Sequence, residues 1–257
     1  MSVLLDFFYL LAAVLASPWI AYRLIGRGDW RELAARFGGG LGKPLRDCIW
    51  LHGSSAGEIA VLAPLVHLLE QSEIDNPLVI SAYSSTGVAA ARKAFPQHRV
   101  IVFPFDLSFV VRRVLRHLDP RLIVIVESEY WPNFLRAAGR GRVPVAVVNA
   151  KMSEKSFRFH AMTRIVPLLL RRLTLFAVQT STHEQRLRAL GIAADRIRVT
   201  GNMKYDLAAA AGSSGAAGHL RERLGFADDD VVIIGGSVHE REDAALIDAY
   251  VRIKRDH

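Results

Sequence analysis

Short apolar runs, each followed by a segment with helical spacing, recur along most of the chain. The runs are Cys48–Leu51, Leu78–Ala82, Val100–Phe103, Leu122–Val126, Val143–Val148, Leu175–Val178 and Ile197–Val199. Almost continuous apolarity in so short a run predicts a strand buried on both faces. Between them, Glu58–Leu69, Thr86–Phe95, Ser108–His117, Trp131–Ala138, Ser153–Arg172 and His183–Leu190 carry the helical pattern. The alternation predicts a Rossmann-like, doubly wound parallel α/β sheet. In such a sheet function gathers at the carboxyl ends of the strands, so the residues just after each run come first as candidates.

The pattern changes at both ends. Phe7 to Tyr22 is uncharged and broken only by Ser17 and Pro18. With Val3–Leu5 and Asp6 added, the run reaches the ~20 residues of a bilayer span. No Lys or Arg precedes Arg23, which argues against a cleaved secretory signal, while Arg23, Arg27, Arg31 and Arg36 follow the run. This predicts an uncleaved membrane anchor over residues 1–25 with the remainder on the cytoplasmic side. The alternative is a helix lying in the membrane interface or in the core. Gly38–Pro44 is a linker, and residues 45–207 form the main domain. An Ala/Gly/Ser-rich linker is expected over residues 208–230. Residues 231–257 then open an incomplete second α/β domain, with a strand at Val231–Ile234, a Gly-Gly-Ser turn and an acid-led helix.

Composition narrows the partners. The 257 residues are 51% hydrophobic and 23% charged, with a formal net charge of +8. That excess suits an anionic partner, either a membrane surface or a phosphorylated substrate. No basic tract interleaved with aromatics is present, so nucleic acid is not expected. The single cysteine, Cys48, lies in a predicted strand and is expected to be a buried thiol.

Five segments could carry chemistry. Gly53-Ser54-Ser55-Ala56-Gly57 follows a strand and leads into Glu58 at a helix start. It is neither G-x-G-x-x-G nor a P-loop, and a carboxylate there would repel a pyrophosphate. Glu58 is either a cap partner of Ser54 or Ser55 or a general base for a neutral hydroxyl. Glu127 and Glu129 follow the fourth strand, ahead of Pro132, whose fixed φ suits a first helical turn. Asn149 ends a strand, Ser153 can cap the next helix, and Lys151, Lys155 and Arg158 add positive charge. Gly201, Asn202 and Lys204 form a polar turn after the seventh run. Gly235, Gly236 and Ser237 could offer backbone amides to an anion, with His239 and Glu240 beside them. None of the histidines has metal-ligand spacing; His52 alone abuts the glycine loop.

The segments WLHGSSAGEI, SAYSSTG, FPFDL, IVIVESEYWPN, PVAVVNAKMSEKS, VQTSTHEQRLRALG, VTGNMKYD and IIGGSVHERE, taken in order, resemble the 3-deoxy-D-manno-octulosonic acid (Kdo) transferases of lipopolysaccharide synthesis. The resemblance implies a GT-B glycosyltransferase: an N-terminal acceptor domain and a C-terminal donor domain. It implies transfer of Kdo from CMP-Kdo to a lipid A precursor, lipid IVA, with inversion and with neither cofactor nor metal. The acid of the H-x-x-S-x-G-E motif falls on Glu58, implying a general base. Ser55, Gly57, Glu127, Glu129, Asn149 and Lys151 are then implied in acceptor binding or support of the site. Gly236, Ser237, His239 and Glu240 are implied in donor binding. The implied location is the cytoplasmic face of the inner membrane. Family members are longer, so the rest of the donor domain, or a separate C-terminal half, is expected as a partner. The rival reading is a membrane-bound acceptor-binding module without catalysis. The serious departure is length; milder ones are Gly53-Ser54-Ser55-Ala56 where the family more often has Ala-Val-Ser-Val, Tyr130 where Leu is usual, and His239-Glu240-Arg241-Glu242 where His-Glu-Gly-Glu is usual.

Overall fold

A computed structural model of the chain describes residues 2–15, 17, 30–163, 165–206, 220, 221, 223–227, 229–240 and 242–256. It forms two compact units, Met1–Ala209 and Ala210–His257.

The first unit is built on a seven-stranded parallel sheet. Its strands are β1 (Cys48–His52), β2 (Leu78–Ala82), β3 (Arg99–Val102), β4 (Pro120–Val126), β5 (Val145–Ala150), β6 (Leu175–Val178) and β7 (Ile197–Val199). The spatial order is β3-β2-β1-β4-β5-β6-β7, and every pair is parallel. The helices are α1 (Ser2–Leu15), α2 (Trp30–Arg36), α3 (Ala56–Gln71), α4 (Ser85–Ala94), α5 (Ser108–Leu118), α6 (Pro132–Arg140), α7 (Glu154–Thr163), α8 (Ile165–Leu170) and α9 (Ser181–Ala189). The chain builds outward from β1 to β3, then returns to place β4 on the other side of β1. Right-handed crossovers running in opposite directions put their helices on opposite faces.

Two cores follow from the two-residue period of the strands. Ile49, Leu51, Ile80, Val124 and Val126 face α3 and α4, meeting Ile59, Leu62, Val66 and Ala91. Cys48, Trp50, Ile123, Ile125 and Val147 face the other way, onto Val110, Val114, Phe134 and Leu135. Cys48 is buried as expected, and burial pushes its thiol up to about 12.

Several boundaries differ from the pattern. β5 runs on to Ala150 because Asn149, with φ +51°, forms a bulge that shifts its register against β6. The helical pattern expected over Ser153–Arg172 is seen as α7 and α8, on either side of residue 164, which lies outside the described residues.

The membrane anchor expected over residues 1–25 is not supported by the described residues. No helix among the described residues is long and apolar enough to cross a membrane. Residues 18–29 of the expected anchor and its basic flank lie outside the described residues. α1 is also held to the domain by polar bonds. The Asp6 carboxylate accepts from Ser108 N at 2.9 Å, and the Tyr9 hydroxyl donates to Asp106 at 3.2 Å.

In the second unit, α10 (Glu242–Asp256) forms, and Glu242 accepts from His239 N at 2.9 Å at its start. Val231–Ile234 does not form the expected strand. No strand pairs with it among the described residues, and Val231 and Ile234 are 89% and 84% exposed. A single strand without a neighbour has no partner for its backbone groups. Most of the 208–230 linker lies outside the described residues.

Candidate active site at the sheet's switch point

β1 and β4 are the neighbours from which the chain departs in opposite directions, and this reversal opens a crevice at their carboxyl ends. The first loop turns there. Ser54 O accepts bonds from Tyr83 N, Ser84 N and the Ser84 hydroxyl at 2.9–3.2 Å, tying the loop after β1 to the loop after β2. Gly53 is needed for its small size: a Cβ there would lie 3.1 Å from the Glu58 backbone and side chain. Gly57 meets nothing closer than 3.9 Å and its φ is not positive, so neither space nor backbone geometry requires a glycine there. Gly53→Ala should push the start of α3 aside and cost roughly 1–3 kcal/mol of stability, read from denaturant unfolding.

Glu58 does form the cap. Ser55 accepts from Glu58 N at 3.3 Å, and the Glu58 carboxylate accepts from Ser54 N at 2.7 Å and from the Ser55 hydroxyl at 3.3 Å. The same carboxylate faces the crevice. Burial raises its pKa, and the charge of Glu127 adds to the rise, against the lowering effect of the Ser54 N–H.

Glu127 and Glu129 come from the turn after β4. Glu127 sits at φ +63° and is buried, paired with the Lys151 ammonium and with Lys204 at 3.7 Å. Glu129 is also raised, first by burial and then by the charge of Glu58. It accepts from the Trp131 indole N–H at 3.0 Å. Trp131 stacks on Tyr83 with centroids 5.3 Å apart, and the Arg36 guanidinium lies 4.4 Å from the other ring's centroid, that of Tyr83. This stack fixes Glu129 in place. Three carboxylates and two lysines thus converge; the lysines' ion pairs are with Glu127, and the Lys151 charge lowers the Glu58 pKa less than burial raises it. Glu58 and Glu129 remain as a mutually repelling pair with raised affinity for a proton, the property a general base requires.

Asn149 braces the cluster from beneath. It is fully buried, and its side-chain oxygen accepts from Met203 N at 3.1 Å, which sets the turn carrying Lys204. Ser55 lies exposed at the rim, as does Gly57. Ser153 caps α7 through Ser156 N at 3.1 Å. Arg158 is committed to Glu154 and so is not a free cation of the site. His52 is buried away from the loop it abuts in sequence. Its ring stacks on Phe103 at 3.9 Å and bonds Ser81, and burial pushes it down to about 3, so it stays neutral. Among the described residues no group of three His, Cys, Asp or Glu is arranged to hold a metal ion. Gly236, Ser237, His239 and Glu240 lie in the second unit, all exposed, with Ser237 at φ +55°.

Sequence reasoning missed Asp106. It is buried, and its carboxylate accepts from Asn133 N and Phe134 N at 2.9 and 2.7 Å, capping α6, whose own N-cap is Trp131. A cap supplied from a distant loop leaves no local signature.

With this geometry the comparisons become decisive. The family profile described as 3-deoxy-D-manno-octulosonic-acid transferase (kdotransferase) matches residues 31–207, well over half of the chain. The chain belongs to the Kdo transferase family. A 3-deoxy-D-manno-octulosonic acid transferase of Chlamydia trachomatis serovar A is 30% identical over 249 residues, covering 94% of this chain and 57% of that protein. The Haemophilus influenzae protein of the same name is 28% identical over 181 residues, covering 69% and 42%. The chain therefore spans only about half the length of these Kdo transferases, 57% of the first and 42% of the second. Among solved structures, UDP-GlcNAc 2-epimerase from Neisseria meningitidis aligns with a TM-score of 0.51 at 13% identity, covering 68% of this chain and 52% of that one. That likeness establishes the fold alone, a parallel α/β unit of GT-B-like type.

Proposed function

We propose that the chain carries the acceptor half of a GT-B Kdo transferase, which moves Kdo from CMP-Kdo to a lipid A precursor. In this reading Glu58 takes the proton of the acceptor hydroxyl. The freed oxygen attacks the anomeric carbon of Kdo, with inversion, and the bond to the phosphate breaks, so that CMP leaves with the electron pair. The observation that carries the reading is the convergence of Glu58, Glu127 and Glu129 with Lys151 and Lys204 at the switch point. Gly236, Ser237, His239 and Glu240 belong to the donor side, completed by further chain or by a separate C-terminal half. The work takes place at the cytoplasmic face of the inner membrane. The exposed apolar residues of α1 support that location.

The test is CMP release from CMP-Kdo in the presence of lipid IVA, by the chain alone and with a donor half supplied from a longer family member. No release in either case would overturn the reading. Binding of lipid IVA without release would favour the rival, a non-catalytic acceptor-binding module, which the 57% coverage of the Chlamydia relative keeps in play. The reaction is further proposed to need no metal, because the lysines already neutralise Glu127. EDTA should leave CMP release unchanged; a loss restored by a divalent cation would contradict this.

A further inference from the structure

On the outer face of the first unit, α5 and α6 enclose a groove of about 460 Å³. Arg112 and Arg116 line it from α5, one turn apart; Arg136 and Arg140 line it from α6 at the same spacing. Asp119 is the one acid in its wall, and no ion pair links it to these arginines among the described residues. Arg116 Nε donates to the Arg112 carbonyl at 3.3 Å. The guanidiniums of Arg112, Arg136 and Arg140 have no hydrogen-bond or ion-pair partner among the described residues. Four planar cations with free N–H donors around one concavity match the oxygens of a phosphate, which guanidinium binds in bidentate fashion.

The groove is distinct from the glutamate crevice. It reaches Pro120 at the start of β4, the edge opposite Glu127. Its other end decides between a soluble phosphate and a lipid headgroup. Ser108 and Asn133 line that end, and both donate to Asp6 of α1, Ser108 N and Asn133 Nδ2 at 2.9 Å each. With its acid turned inward, α1 exposes Phe7, Phe8, Val14 and Leu15 at 58%, 55%, 66% and 75%. Phe109, next to Ser108 on α5, is 52% exposed. Exposed apolar side chains thus adjoin the cations of the groove, and such a pairing holds a protein on an anionic bilayer.

We propose that the α5–α6 groove binds the phosphate headgroup of an anionic phospholipid while α1 lays its apolar face in the same membrane surface. The proposal does not depend on Glu58 acting as a base. Sedimentation with phosphatidylcholine vesicles, with and without phosphatidylglycerol, tests it. Arg112→Gln/Arg136→Gln should bind the phosphatidylglycerol vesicles on the order of 10-fold more weakly, with unchanged far-UV circular dichroism. Arg92→Gln/Lys93→Gln, on exposed α4, removes the same charge elsewhere and should bind as the unaltered chain does. Equal losses in both variants would overturn the proposal, since net charge alone would then account for binding. Calorimetric titration with inorganic phosphate and pyrophosphate forms the second arm. Tight binding of either, without any vesicle preference for phosphatidylglycerol, would overturn the lipid assignment.

Discussion

Glu58→Gln should lower CMP release by a factor on the order of 10²–10⁴, the usual worth of a positioned general base. Glutamine keeps the length of the side chain and one carbonyl oxygen, so it can still accept the 2.7 Å bond from Ser54 N. The cap of α3 is therefore mostly retained, and the stability cost should stay within about 1 kcal/mol. What is lost is the basic lone pair. This separation distinguishes the two roles of Glu58. A residue that only caps would lose little activity on such a change, whereas a base that also caps loses its rate and keeps its fold. Glu129→Gln makes the comparison sharper. It preserves an acceptor for the Trp131 indole but removes a like charge beside Glu58. The repulsion is mutual, so Glu58 should then hold its proton less tightly and work down to lower pH.

Asp106→Ala should destabilise the chain by roughly 2–4 kcal/mol in denaturant unfolding, because it leaves two helix N–H groups without partners. The Asn133 and Phe134 amides lose their acceptor in a buried site, and the Tyr9 hydroxyl of α1 loses its partner. Asp106→Asn separates the hydrogen bonds from the charge. Burial pushes the Asp106 carboxyl up to about 6 from an ordinary 3.8. The folded state thus binds this proton more tightly than the unfolded chain does. The associated stability is fully present below 3.8 and is lost as pH rises through about 6. The stability of the unaltered chain relative to Asp106→Asn should therefore increase as pH falls from 7 to 4. A difference independent of pH would show that Asp106 stays ionised throughout.

The strands were legible because a parallel sheet buried on both faces leaves no polar alternation to confuse the pattern. Leu78–Ala82 and Leu175–Val178 match the structure residue for residue. Errors arose where the backbone departs from the regular period. Asn149 bends β5 into a bulge, and Val231–Ile234 has the composition of a strand without a neighbour. Within the site, Glu58, Glu127 and Glu129 stood out individually because each follows an apolar run. Their convergence was not legible, since it depends on β4 returning to the side of β1. Lys204 looked like part of a turn, and only the bulge at Asn149 explains how it reaches Glu127. Asp106 and Asp6 cap helices that lie elsewhere in the chain, a long-range relation with no sequence period to betray it.

The pH dependence of CMP release, compared between the unaltered chain, Glu58→Gln and Glu129→Gln with CMP-Kdo and lipid IVA, tests the central claim most directly. The account expects an acid limb above the ordinary 4.5 of a glutamate in the unaltered chain. That limb should move to lower pH in Glu129→Gln, and both limb and rate should be lost in Glu58→Gln. An undiminished rate with the same acid limb in Glu58→Gln would contradict it.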